Sequence, residues 1–251
     1  MEVLEMQPVA LITGAAKRIG RAIAIAFANG GYRVVAHYNK SREEAEELLA
    51  EIGGSSKGHL IIQCDFGKPG EAANLIPALA EEGMLPQCLV NNASCYSRAR
   101  LADTTPEILQ NSMQVNFASP FELMRSFANI CKNGCIINIT DQRNTFVDPD
   151  SGIYAIAKKA LENATMAAAL DWAPCIRVNA VAPGIVLPPP GKSWEGMQHI
   201  IPQIPMKRRS TEEDVANACI FLATQGNITG QTIYIDGGLH LMGHPIETKK
   251  P

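Results

Sequence analysis

The chain has 251 residues, close to half of them hydrophobic and few aromatic, with a formal net charge of −3. That length suits one large α/β domain with a sizeable core, and the near-neutral charge balance points to neither a nucleic-acid nor an acidic-surface partner. No apolar run approaches a membrane span, Met1–Met6 lacks the basic start and apolar core of a signal peptide, and seven scattered cysteines suit a reducing cytoplasm better than a disulfide framework.

Pro8 to Thr13 reads as a short apolar strand. Thr13-Gly14-Ala15-Ala16-Lys17-Arg18-Ile19-Gly20 follows, and then a helix from Ala22 to Asn29 that Gly30-Gly31 stops. Strand, glycine-containing turn and helix are the context of a dinucleotide fingerprint. Gly14 permits a sharp turn, Gly20 permits close helix–sheet packing, and the helix N-terminus offers N–H groups to a pyrophosphate. Arg18 stands where the middle glycine of the usual pattern would be. Tyr32 to Tyr38 is the second strand, ending in His37-Tyr38-Asn39-Lys40-Ser41. Enzymes that use NAD place a carboxylate near here for the ribose 2′-hydroxyl, and none appears before Glu43. Lys40, Ser41 and His37 suit a 2′-phosphate instead, which favours NADP. Ser41 also reads as the N-cap of a Glu-rich helix, Arg42 to Ile52.

His59 to Cys64 is a third strand, ending at Asp65-Phe66. Asp65 either bonds an adenine amino group or caps the loop. A helix is expected over Glu71–Glu82, with Pro77 a complication. Gln87 to Val90 leads into Asn91-Asn92-Ala93-Ser94-Cys95-Tyr96, and Pro106 to Ile130 is a long helix containing Asn116. Cys131 and Cys135 have no His–Cys cluster beside them and read as structural thiols, so no metal is expected. Cys135–Thr140 is a fifth strand. Asp141 follows it, at the carboxyl end where open α/β sheets place ligand sites. Tyr154 and Lys158, thirteen and seventeen residues beyond Asp141, share one face of an Ala-rich helix running to about Trp172. A lysine ammonium held close favours the phenolate and lowers the phenol pKa, which makes the pair a proton donor and acceptor. Ile176 to Val181, then Pro183-Gly184, and Gln231 to Ile235, then Asp236-Gly237-Gly238, complete seven strands. The alternation predicts a Rossmann-type doubly wound parallel sheet with helices on both faces, as one domain over 1–251. Residues 185–209 break the rhythm with five prolines, Trp194 and Met206, and are expected to form a substrate lid.

Together these pieces resemble the short-chain dehydrogenase/reductase family, through Thr13-Gly14…Gly20, Asp65, Asn91-Asn92-Ala93, Asn116, Tyr154-x-x-x-Lys158, Arg177-Val178-Asn179, Pro183-Gly184 and Asp236-Gly237-Gly238, in family order over nearly the whole chain. The family usually has glycine where this chain has Arg18, and serine where it has Asp141. Those departures, with His37-Tyr38-x-x-Ser41 and an aromatic at Tyr96, look like the pteridine reductase branch, which includes the bacterial dihydromonapterin reductases.

The resemblance implies catalytic roles for Asp141, Tyr154, Lys158 and Asn116. It implies NADPH contacts from Gly14, Lys17, Arg18, Ile19, Gly20, His37, Tyr38, Asn39, Lys40, Ser41, Asp65, Phe66, Asn92, Ala93, Ser94, Lys158, Pro183 and Gly184. It implies a pterin held by Arg18, Ser94, Tyr96, Asp141 and Tyr154, with Tyr96 stacked on one ring face, and it implies a homotetramer. The expected reaction is reduction of a pterin or dihydropterin, with the proton delivered through Tyr154 and Asp141. The alternatives are a short-chain carbonyl or 3-oxoacyl thioester reductase and a non-catalytic NADP-binding regulator.

Overall fold

The structure is a computed structural model that describes residues 7–188 and 193–246. The Met1–Met6 segment and residues 189–192 of the expected lid lie outside the described residues. Seven strands form one all-parallel sheet in the order β3-β2-β1-β4-β5-β6-β7. They are β1 Val9–Ile12, β2 Arg33–Tyr38, β3 Leu60–Gln63, β4 Cys88–Asn91, β5 Gly134–Ile139, β6 Ile176–Pro183 and β7 Thr232–Ile235. The apolar runs that predict these strands place their ends within about two residues, because both faces of a parallel sheet are covered and the hydrophobic run is nearly continuous.

Side chains alternate between two cores. Ala10 and Ile12 join Ile23, Ala24 and Phe27 of α1 (Arg18–Asn29), Leu48 of α2 (Arg42–Glu51), and Val215, Cys219 and Leu222 of a C-terminal helix, Glu212–Thr224. Val9 and Leu11 face the other way, towards α3 (Leu75–Glu81), Phe127 of α5 (Ser119–Ile130) and Leu161 of α6 (Gly152–Asp171). The helices therefore cover both faces. Strand order reverses between β1 and β4, so a crevice opens at their carboxyl ends, where such sheets bind ligands.

Several boundaries differ from expectation for local reasons. Glu71–Glu82 divides into a 3₁₀ turn, Ala72–Asn74, and α3. Pro77 thus falls in the first turn of α3, where its missing N–H leaves no intrahelical bond unmade. The long helix Pro106–Ile130 is continuous but contains a π turn, Gln114–Ala118, between α4 (Pro106–Met113) and α5, with Asn116 at its centre. The helix Glu212–Thr224, here α7, is an addition to the sequence reading. Thr211 and Asp214 form a reciprocal capping box at its start. Ser41 occupies the N-cap of α2 but makes no side-chain cap bond. Among the described residues, no helix is long and apolar enough to cross a membrane.

Candidate active site

The first turn is built by exclusion of side chains. Gly14 has φ +63°, a region that disfavours residues with a Cβ, and a Cβ on Gly20 would run into the Gly14 carbonyl and the Asn92 amide. Asn92 ties β4 to this turn: its Nδ2 donates to Thr13 O and Gly14 O, while its backbone N–H and that of Ala93 donate to Thr13 Oγ1. Lys17 is the N-cap of α1 but makes no side-chain cap bond, and the first turn carries no acid. The helix's first N–H groups are therefore left for an anionic ligand. The Lys17 ammonium instead pairs with Glu44. Arg18 holds φ +55°, so the position keeps a glycine-like conformation with an arginine in it. Its guanidinium donates to Pro188 O at 3.0 Å, joining the turn to the segment after β6.

His37 departs from its expected place beside a phosphate. β2 lies between β1 and β3, both faces are covered, and the imidazole is 2% exposed. Nδ1 accepts from Gly14 N–H at 3.1 Å, Nε2 faces Cys64 O at 3.0 Å, and the ring stacks on Phe66 at 4.1 Å. This is the pattern of a neutral ring with its proton on Nε2. Phe66 is itself buried behind it, and Tyr38 is buried at the strand end, whereas Asn39 and Lys40 are exposed. Asp65 caps its own loop, accepting from Gly67 N–H at 3.0 Å, and also accepts from Asn39 Nδ2 at 2.9 Å.

Burial lowers the His37 pKa from 6.5 to about 4. The folded chain refuses a proton that the unfolded chain accepts below about pH 6.5, so the stability is present above that pH and lost as pH falls through about 4. The loss amounts to about 3 kcal/mol at most. Denaturant unfolding measured from neutral to acid pH is expected to show this slope, and His37→Gln, which cannot titrate, is expected to flatten it. An unchanged slope in the variant would remove His37 as its source.

At the other side of the crevice, Asp141 lies two residues beyond the end of β5 and caps a 3₁₀ turn, Gln142–Thr145, with its Oδ1 accepting from Arg143 N–H at 2.9 Å. Its Oδ2 accepts from the Tyr154 hydroxyl at 2.9 Å and lies 3.4 Å from Arg143 Nη1. Each of these partners donates to the carboxylate. Tyr96 is 48% exposed and meets the Tyr154 ring edge-on, with centroids 4.9 Å apart. Lys158 is 2% exposed and donates to Ile139 O at 2.8 Å.

The ionisation of the pair corrects the sequence expectation. Burial, followed by the Asp141 charge, pushes the Tyr154 phenol well above its usual pKa rather than below it. Lys158 is instead pulled down to about 8 by its own burial. Its ammonium is turned towards the β5 carbonyl, with Nζ 6.0 Å from the Tyr154 ring centre. Tyr154 is thus a protonated donor at neutral pH, and burial loosens the hold of Lys158 on its own proton.

Asn116 is fully buried and its bonds go to the loop after β4 and to its own helix. Oδ1 accepts from Ser94 Oγ at 2.6 Å and Cys95 N–H at 3.2 Å, and Nδ2 donates to Cys95 O at 2.9 Å and Ser112 O at 3.0 Å. It shapes the loop that presents Ser94 and Tyr96. Pro183 ends β6, and Gly184 packs so closely on Asp236 that a Cβ has no room. In the segment 185–209, Val186, Ile200 and Ile204 are buried, and Arg209 lies over Trp194 at 4.7 Å while donating to Val186 O at 2.7 Å.

Two charged residues absent from the sequence reading belong to this cluster. Arg143 lies 5.5 Å from the Tyr96 ring centre, and its Nε is 3.3 Å from Asp148. Their only sequence signal is Arg two places after Asp141, which acquires meaning once the 3₁₀ turn brings it back over the carboxylate. Among the described residues, no group of three or more His, Cys, Asp or Glu lies close enough to hold a metal ion.

Comparison with known proteins divides along the same line as the two substrate readings. A family model described as enoyl-(acyl carrier protein) reductase matches residues 14–240. The 3-oxoacyl-[acyl-carrier-protein] reductase FabG of Staphylococcus epidermidis is 30% identical over 94% of this chain and 100% of its own length. The 3-oxoacyl-[acyl-carrier-protein] reductase of Synechocystis sp. is 32% identical over 92% of this chain and 96% of its own. Among solved structures, FolM alternative dihydrofolate reductase 1 from Brucella canis, complexed with NADP, aligns with a TM-score of 0.85 at 30% identity, covering 93% of this chain and 94% of that one. The Brucella suis protein of the same name, also with NADP, gives 0.82 at 29% identity, covering 93% and 95%.

Proposed function

Because the chain belongs to the short-chain dehydrogenase/reductase family, we propose that it is an NADPH-dependent reductase of a pterin or dihydropterin, of the dihydrobiopterin, dihydromonapterin or dihydrofolate kind. The observation that carries this reading is the 2.9 Å bond from the Tyr154 hydroxyl to Asp141. A ketone gains negative charge on oxygen as it is reduced, and a carboxylate at that place opposes it. A ring C=N bond gains a proton on nitrogen, and a nearby carboxylate favours that. The likeness to solved dihydrofolate reductases of the same family supports the reading.

The cofactor fits the residues present. The cradle at Gly14 and Gly20 has no room for side chains, the α1 N-terminus has no side-chain cap, and the β2 end carries Lys40 and Ser41 without a carboxylate. Lys40, Ser41 and Asn39 would hold the 2′-phosphate, Asp65 and the Phe66 backbone would border the adenine, and Ile19, Asn92, Ala93, Ser94, Pro183 and Gly184 would line the path to the nicotinamide. NADPH, when bound, supplies the hydride.

Tyr154 turns its hydroxyl proton from Asp141 to the substrate ring nitrogen. Lys158 returns a proton to the phenolate, and its lowered pKa makes that transfer easier. Asp141 keeps the phenol oriented and favours positive charge at the ring nitrogen. Tyr96 offers a flat aromatic surface to the substrate ring, and Arg18 and Ser94 face its polar edge. The reading includes a cytoplasmic setting, suited to seven free cysteines, and a homotetramer.

NADPH oxidation with 7,8-dihydrobiopterin, dihydromonapterin, dihydrofolate and an acetoacetyl thioester tests this. Turnover of a dihydropterin is expected, and the ranking among the three names the substrate. Turnover confined to the thioester would return the chain to the 3-oxoacyl reductases, the activity that names its curated relatives. NADPH binding without turnover of any of them would favour a regulator.

A further inference from the structure

We propose that Arg143 is a positioning residue that couples the ring on which the substrate lies to the carboxylate that steers Tyr154. The inference rests on the pterin reading for its substrate and on geometry for its mechanism. Four contacts close a circuit: Tyr96 edge-on to Tyr154 at 4.9 Å, Tyr154 to Asp141 at 2.9 Å, Asp141 to Arg143 at 3.4 Å, and Arg143 over Tyr96 at 5.5 Å. Tyr154 and Arg143 each touch both the stacking ring and the carboxylate, and Arg143 alone of the two also reaches a second carboxylate, Asp148.

A planar guanidinium can do this because it presents Nη1 to one carboxylate and Nε to another while its flat face lies on an aromatic ring. The second carboxylate, Asp148, is held in place by Ser151 Oγ and by the Asp150 N–H. Arg143 is thus neutralised by Asp141 and Asp148, so it is not a receptor for an anionic substrate tail. Its task is internal. It covers one face of Tyr96, leaving the other for a flat ligand, and it keeps a positive charge against Asp141.

The charged and titratable groups facing Asp141 are Arg143 from the 3₁₀ turn, Tyr154 and Lys158 from α6, and, through Arg143, Asp148 and Tyr96. Removing Arg143 removes the nearest cation and leaves Lys158 as the only other one in this group. Without the guanidinium on the face of Tyr96 and beside Asp141 Oδ2, the ring and the carboxylate are no longer held to one another.

The test compares wild type with Arg143→Met and Arg143→Lys. For Arg143→Met, KM for the dihydropterin is expected to rise about tenfold and kcat to fall about tenfold, with NADPH affinity staying within about twofold. Arg143→Lys is expected to restore kcat, through its charge beside Asp141, but not KM, since an ammonium cannot lie flat on the ring and span both carboxylates. If the wild type reduces only the thioester, the pterin reading falls, and the same KM and kcat split measured with the thioester still tests Arg143. A substrate-free arm compares the near-UV circular dichroism of the Tyr96–Tyr154 pair, which is expected to weaken in Arg143→Met with the far-UV spectrum unchanged. Unchanged KM, kcat and near-UV spectra in both variants would overturn the proposal, as would equal losses in Arg143→Met and Arg143→Lys.

Discussion

Tyr154→Phe is expected to lower kcat by about three orders of magnitude while leaving NADPH affinity within about twofold. The hydroxyl is the donor aimed at the reaction centre, and its removal leaves Asp141 paired only with Arg143. Neither residue can replace it: Asp141 is an acceptor in each of its bonds, and Lys158 is turned towards Ile139 O. The phenyl ring keeps its place against Tyr96 and the core, so folding should be little affected. Steady-state rates and a fluorescence titration with NADPH separate the two effects. A residual rate above about a tenth of wild type would mean that the proton comes from elsewhere.

Gly20→Ala is expected to cost several kcal/mol of stability, or to weaken NADPH binding by about a hundredfold if the turn yields instead. The added methyl would collide with the Gly14 carbonyl and the Asn92 amide. Neither can move freely, because Asn92 is bonded to Thr13 and Gly14, and Gly14 N–H is bonded to His37. Gly196→Ala is the control, since a Cβ there meets nothing within 4 Å. Thermal unfolding and NADPH titration of both variants check this. Equal behaviour of the two would show that the first turn is more plastic than its bonds imply.

Much of the fold is legible in the sequence because parallel strands buried on both faces leave nearly unbroken apolar runs, such as Val9–Ile12 and Cys135–Ile139. Tyr154 and Lys158 are legible as a helical pair, and Asp141 as the residue at a strand end. α7 escapes because it follows the proline-rich segment, although Thr211 and Asp214 carry a capping signature. His37 shows a different limit. Its chemistry suggests a phosphate partner, but its strand is interior, so its ring faces inward and supports Gly14. The direction of the Tyr154 shift also follows from burial, which spacing along a helix does not reveal. Arg143 is invisible for a similar reason, since its contacts with Asp141 and Asp148 arise from a 3₁₀ turn and its contact with Tyr96 from a loop 47 residues earlier in the chain that folding brings beside it.

The most direct measurement is the ratio of kcat/KM for a dihydropterin to that for an acetoacetyl thioester, in wild type and in Asp141→Ser. The wild type is expected to favour the dihydropterin, and the ratio to fall about a hundredfold or more in the variant, because a neutral hydroxyl no longer favours charge on the ring nitrogen and can instead donate to a ketone oxygen. A wild type that favours the thioester, or a variant that reduces the dihydropterin as well as wild type does, would contradict the role assigned to Asp141.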